Sequence, residues 1–228
     1  MPKQRTRASA PTADGPAVHH PLFSRLYARV SVQAETRGGF ADLRRELLHG
    51  LSGRALEIGA GNGLNFAHYP RAVSEVVAVE PERILRRLAV EAALRAEVPV
   101  DVVPGAAEAL PVKSEAFDAA VACLVLCSVR DLHRSLAELH RVLRPDAELR
   151  FLEHGAAPGP GMAAVQRGLD RTVWPRLFGG CHTSRDPVAA IEAAGFRIVS
   201  QRRFRLPARG PALPTSYCVL GSARRSLA

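Results

Sequence analysis

Lysine is almost missing from this chain: of 31 basic side chains only Lys3 and Lys113 are lysine. A basic surface that is nearly all arginine reflects coding bias more than a selected phosphate-binding face. Acidic residues are missing from Arg197 onward, where seven arginines contribute +7 against a net charge of +9 for the whole chain. We read these as solvated arginines on a pair of terminal strands. RNA or an anionic membrane surface is the alternative that so basic a segment raises. No apolar run approaches the ~18 residues of a membrane-spanning helix, and the longest, Ala119 to Leu126, suits a buried strand. Met1 to Val18 has no apolar core and so is not a secretory signal. It is rich in Pro, Ala and Thr and is expected to be a disordered tail, residues 1–18. The four cysteines, at 123, 127, 181 and 218, include no C-x-x-C pair. No metal is therefore expected, and reduced cysteines fit a cytoplasmic protein.

What is present is ordinary for a globular protein: 228 residues, 47% hydrophobic and 23% charged. Residues 19–228 are read as one domain. Two amphipathic helices, Pro21 to Thr36 and Gly39 to Leu51, come first. From Arg54 strands and helices alternate, the pattern of a parallel α/β sheet. The strands are Ala55–Ile58, Glu75–Glu80, Val100–Val103, Phe117–Leu124 and Glu148–Glu153, closed by Phe196–Arg205 and Ser216–Leu220. Helices are expected over Glu82–Ala96, Asp131–Leu143, Met162–Arg176 and Asp186–Ala194. The core spans about 52–222, with a small cap inserted at about 155–186. The fold expected is Rossmann-like, with a doubly wound, mostly parallel seven-stranded sheet and two N-terminal helices.

Arg54 to Gly63 carries the most information. A short strand runs into a turn with glycines at 59, 61 and 63 and then into a helix. Glycine lets the chain turn sharply and lets a ligand lie against bare main chain. The dinucleotide fingerprint G-x-G-x-x-G is not met, because the third glycine comes one residue early. Glu57, two residues before the first glycine, suits a ligand with positive charge better than a pyrophosphate.

This E-x-G-x-G-x-G pattern resembles motif I of the class I S-adenosylmethionine-dependent methyltransferases. The resemblance implies S-adenosylmethionine as cofactor. Glu57 and the loop residues Gly59, Ala60, Gly61, Asn62 and Asn65 would then hold its amino-acid end. Glu80, with Pro81, would meet the ribose diol about 20 positions after the first glycine. Gly105 to Pro111 is similar to the family's adenine-edge motif, with Ala106 where an Asp is usual. That leaves the backbone of Ala106 and Ala107 and the side chain of Glu108. Cys123 and Leu124 would form an apolar wall, and Phe23 and Tyr27 of the first helix would close over the cofactor. Val142 to Pro145 is also typical, but the usual Gly-Gly after it is here Asp146-Ala147, so the turn is expected to use other backbone angles.

Gly63 to Pro70, Leu124 to Val129, Phe151 to His154 and Phe178 to Arg185 look like the subgroup that includes the microsomal alkyl-thiol S-methyltransferases. The likeness covers roughly residues 52 to 206. The apolar N-terminal anchor of the membrane-bound members is not seen. The function expected is methyl transfer to a small, partly apolar acceptor such as a thiol or phenol. An RNA methyltransferase and a catalytically silent cofactor-binding module are the alternatives. A thiol or phenol must lose a proton, and a histidine suits that role. His154, at the end of the fifth strand, is the first candidate base, and His182, with Arg185 in the cap, the second. Glu153 either orients His154 or lies buried in the sheet, since neighbours on a strand face opposite ways. Trp174 and Phe178 are expected to pack the cap. Oligomeric state is not legible in the sequence.

Overall fold

The computed structural model describes residues 21–37 and 39–226; the segment expected to be a disordered tail lies outside them. Two helices, α1 (Pro21–Arg37) and α2 (Phe40–Leu48), precede the sheet. The strands are β1 (Gly53–Ile58), β2 (Val73–Val79), β3 (Val100–Val103), β4 (Phe117–Cys123), β5 (Leu143–His154), β6 (Phe196–Arg205) and β7 (Tyr217–Arg225). The remaining helices are α3 (Arg83–Ala93), α4 (Leu132–Val142), α5 (Pro160–Asp170), α6 (Trp174–Leu177) and α7 (Pro187–Ala193). Among the described residues no helix is long and apolar enough to cross a membrane.

The seven strands form one sheet in the order β3-β2-β1-β4-β5-β7-β6. All neighbouring pairs are parallel except those of β7, which runs antiparallel to both β5 and β6. Parallel strands covered on both faces read as continuous apolar runs, and β4 buries all but Asp118 of its seven residues. Successive residues therefore enter different cores. Leu56, Ile58 and Phe151 pack on the side of α4 and α7. Ala55 and Leu152 pack on the side of α2 and α3 with Leu47, Leu48, Phe66 and Tyr69. Strand order reverses between β1 and β4, so the crevice at their carboxyl ends is where ligands bind in such sheets.

Three expectations are corrected. The segment after the glycine loop forms only a one-turn 3-10 helix, Phe66–His68. Pro70 and the start of β2 at Val73 leave no room for more, and Phe66 and Tyr69 are drawn into the core. The single helix expected over Met162–Arg176 is two, α5 and α6, broken at residues 171–173. The turn after Pro145 uses the angle a glycine would use: Asp146 has φ 59, and its carboxylate receives Arg224 at 2.9 Å. Aspartate is one of the few side chains that tolerate this region, and the turn carries β5 back to Leu143.

Four of the seven arginines after residue 196 are matched. Arg202 pairs with Glu46, Arg203 with Asp186, Arg224 with Asp146 and Arg225 with Glu115. Carboxylates from earlier in the chain thus offset charge that the linear sequence shows as unopposed.

Candidate active site

A cavity open to solvent lies at the carboxyl ends of β1, β2 and β4. One flank is built from Gly59 and Gly61 of the glycine loop, Glu80 and Pro81 after β2, and Ala106 to Glu108 after β3. Phe23 and Tyr27 of α1 cover it, and Leu124, Val125, Ser128, Val129 and Gly179 complete the other flank. Tyr27 lies against Gly61, where an added Cβ would stand 3.5 Å from the ring. Asn62 does not line the cavity; its amide reaches Ser31 Oγ at 3.1 Å and ties the loop to α1. Ala60 is buried under the loop and donates its N–H to the Val79 carbonyl at 3.2 Å.

Glu80 is the acidic residue that the cavity shares with the main chain. Its Oε2 accepts the Gly61 N–H at 2.7 Å and its Oε1 accepts the Glu82 N–H at 2.8 Å. Each carboxylate oxygen has two acceptor sites, so each keeps one for a ligand. Burial lifts its pKa to about 7, against the pull of those two amides. Glu82 is spent as the N-cap of α3, accepting from Ile84 and Leu85. Glu108 accepts the Arg130 N–H at 2.8 Å, joining the β3 loop to the start of α4.

Glu57 stands behind the loop, outside the cavity. Its oxygens accept from Asn65 Nδ2 at 2.9 Å and from the Tyr69 hydroxyl at 2.7 Å. Asn65 in turn accepts from Arg44 at 2.7 Å, and Arg44 also reaches Cys123 Sγ at 3.2 Å and Glu35 at 2.9 Å. Neither Asn65 nor Cys123 lines the cavity; both belong to this buried brace. Burial raises Glu57 from 4.5 to about 7. A carboxyl raised on folding contributes stability that is fully present below about pH 4.5 and is lost as pH rises through 7. Relative to the parent, Glu57→Gln is therefore expected to gain melting temperature between pH 5 and pH 8.5. A difference that stays constant over that range would show that Glu57 keeps an ordinary pKa.

The structure does not bring the two histidines to the cavity. His154 sits at the end of β5 opposite Cys218 of β7, with Nδ1 3.7 Å from Cys218 Sγ. Burial lowers its pKa to about 4, so the ring is neutral but weakly basic at neutral pH. His182 Nδ1 lies 2.7 Å from the Gly180 carbonyl. Arg185, expected beside it, instead donates to the carbonyls of Leu126 and Val129 at 2.6 and 2.9 Å. Trp174 and Phe178 stack on each other, 4.1 Å between centroids. Of the cavity residues, Ser24, Glu82, Leu85, Ser128, Val129 and Gly179 were not singled out from the sequence, although all six lie within stretches given above for other reasons. Glu153 is fully buried and accepts from three successive amides, Val125, Leu126 and Cys127.

Residues 56–151 match the model of a methyltransferase domain. The thiol S-methyltransferase TMT1B of Mus musculus is 32% identical over 208 residues, 89% of this chain and 82% of that protein. The ubiquinone/menaquinone biosynthesis C-methyltransferase UbiE of Syntrophotalea carbinolica is 32% identical over 213 residues, 92% of this chain and 82% of that protein. Among solved structures, the N-methyltransferase NodS of Bradyrhizobium japonicum, bound to S-adenosyl-L-homocysteine, superposes with a TM-score of 0.67 at 15% identity. That likeness covers 90% of this chain and 96% of NodS, and it speaks to the fold. The chain belongs to the S-adenosylmethionine-dependent methyltransferases. As a methyltransferase it has a cavity that fits its cofactor chemically. Bare main chain at Gly59 and Gly61 lies beside a carboxylate with spare acceptor sites, under an aromatic cover.

Proposed function

We propose that this methyltransferase acts on a small, uncharged or weakly acidic acceptor of the thiol class. The cavity carries the argument. Its acidic side chains, Glu80, Glu82 and Glu108, all lie on the flank after β2 and β3. The part between Phe23, Val125, Ser128 and Gly179 is lined by no ionisable side chain, with Glu108 reaching only the neighbouring Val129–Arg130 turn, and is suited to an apolar group with one small polar atom. We assign Glu80 to the ribose diol, the Gly59–Gly61 loop to the methionine end, and the Ala106–Glu108 loop to the adenine. Glu57, Asn65 and Cys123 would support the loop from behind, and Tyr27 would cover it. One relative named above, TMT1B, is a thiol S-methyltransferase, which supports the same acceptor class.

The cofactor, when bound, supplies a sulfonium methyl group already activated by positive charge. The protein's part is to align the acceptor, which in favourable cases is worth up to ~7–11 kcal/mol. No histidine lines the cavity among the described residues. A thiol with pKa ~8.5 is already a few per cent ionised at pH 7. We therefore read the acceptor as entering as its thiolate, its proton having gone to solvent. On this reading kcat/KM in the parent rises with pH toward the pKa of the acceptor thiol itself, ~8.5 for a cysteine-like thiol and higher for a simple alkyl thiol, and His154→Ala leaves that profile unshifted. A loss of ~10²–10⁴-fold in the variant, partly rescued at high pH, would restore His154 as the base.

The test of function is methyl transfer from labelled cofactor to a panel of a small alkyl thiol, a phenol, a quinol and total RNA. Turnover on the thiol is expected. Turnover on RNA with none on the thiol would overturn the reading. The pairing of the C-terminal arginines with carboxylates argues against the RNA alternative.

A further inference from the structure

The loop between β4 and α4, Leu124 to Val129, forms the wall of the cavity that faces the proposed acceptor, through Val125, Ser128 and Val129. It starts in a strained conformation: Leu124 has φ 57, a left-handed angle that side chains other than glycine seldom adopt. Something must hold it there. Two charged side chains that do not themselves line the cavity grip its main chain from opposite sides.

From the sheet, Glu153 at the end of β5 accepts the N–H groups of Val125 and Leu126, both at 2.9 Å, and of Cys127 at 3.4 Å. From the cap, Arg185 donates to the carbonyls of Leu126 and Val129. The His182 N–H reaches the Cys127 carbonyl at 2.8 Å, and Gly180 comes so close that an added Cβ would stand 2.8 Å from the Ser128 carbonyl. The Leu124 N–H pairs with Leu152 at 2.7 Å. A six-residue segment thus has its main chain tied to both sheet and cap, and Val125 fills the space beside Gly59. A fully buried carboxylate is costly unless matched. Here three amides and the Arg185 guanidinium across the loop favour the charged form but offset burial only in part, and burial raises Glu153 to about 7.

We propose that Glu153 and Arg185 are a pair of positioning residues that set the acceptor wall, so that acceptor affinity depends on a cap residue that touches neither acceptor nor cofactor. The proposal uses the thiol reading only to choose a probe. It implies that the cap is part of the acceptor site, and that changes in the cap tune which acceptors fit.

The experiment compares Glu153→Gln, Glu153→Ala, Arg185→Lys and Arg185→Met with the parent. Five quantities are measured: kcat for hexanethiol, its KM, cofactor Kd, melting temperature, and hydrogen exchange of the amides of residues 124–129. For Arg185→Met we expect KM to rise about 10-fold with kcat changed by less than about 3-fold, the signature of lost uniform binding. Cofactor Kd should stay within about 2-fold, and the loop amides should exchange faster while the bulk of the sheet does not. Arg185→Lys should recover part of the loss by keeping one donor. Glu153→Gln should lie near the parent, because its retained Oε1 still accepts from Val125 and Leu126, whereas Glu153→Ala should be the weakest. If Glu153→Ala fails to fold, the two Arg185 variants decide the matter. A fall in kcat that tracks the folded fraction, with KM unchanged, would mean the pair is merely structural and would sink the proposal. Should the parent turn over no thiol, the acceptor reading fails on its own. Unchanged loop exchange in Arg185→Met would then overturn the clamp independently.

Discussion

Gly59→Val is expected to bind no cofactor at any usable concentration. Gly59 has φ 59, a conformation that β-branched residues adopt only under severe strain. A Cβ there would also overlap the Val125 side chain, so the variant must either straighten the glycine loop or push the acceptor wall away. Either movement dismantles the cavity. Gly61 has a similar φ, 57, but its missing Cβ faces only the Tyr27 ring at 3.5 Å. Gly61→Ala should accordingly be the milder change, with strain of order 1–3 kcal/mol and no collision. Calorimetric titration with the cofactor, run beside a melting curve, separates lost binding from lost folding. A folded Gly59→Val with parental affinity would falsify the assignment of this cavity to the cofactor.

The second large effect should come from Glu80→Ala, with cofactor affinity weakened by about 10- to 100-fold, corresponding to ~1.5–3 kcal/mol for hydrogen bonds to a charged group. Two causes add. The side chain that we assign to the ribose is lost, and so is the brace that holds the Gly61 and Glu82 amides in place. Glu80→Gln separates them, because a neutral amide can still brace one N–H. Burial places the Glu80 pKa at about 7. The parent's affinity should therefore fall as pH drops below 7, when the carboxylate takes up a proton and becomes a poorer acceptor, and Glu80→Gln should lack that dependence. Equal pH profiles for the two proteins would remove Glu80 from the diol.

The parts of this structure that were legible in the sequence are those fixed by local pattern. The strands Val100–Val103 and Phe196–Arg205 have the expected bounds, because each is a β-rich run closed by turn residues or by an exposed stretch. The glycine loop and Glu80 could be placed because a parallel sheet delivers strand ends to one crevice. What could not be read was which way a polar side chain turns once it reaches that crevice. Glu57 and Glu80 look alike as acids near strand ends, yet Asn65 and Tyr69 draw the first behind the loop. Likewise Glu153 and His154 are neighbours, and period-two alternation shows only that they face opposite ways, not which faces the site. Glu153 faces the loop amides, and His154 lies against β7. The missing helix after Gly63 was hidden for a different reason: tertiary demand for Phe66 and Tyr69 in the core outweighs local preference.

The placement of β7 between β5 and β6 bears on the order of assembly. Strands β1 to β3 join neighbours through short crossovers, and β4, which lies against β1, is already made when β5 emerges, so the half of the sheet that carries the glycine loop and Glu80 can close before the chain beyond β5 is complete. β5 cannot complete its outer edge until Tyr217–Arg225 arrives, some sixty residues beyond His154, and β6 has no partner before then. Long-range pairing of this kind is slow, because loop-closure entropy is lost before contacts reward it. On a ribosome making ~5–20 residues per second, the acceptor half would stand with an open edge for several seconds after the cofactor half is in place. β6 is unpaired in the same interval, and its exposed arginines would be the charge that keeps it from pairing with other chains.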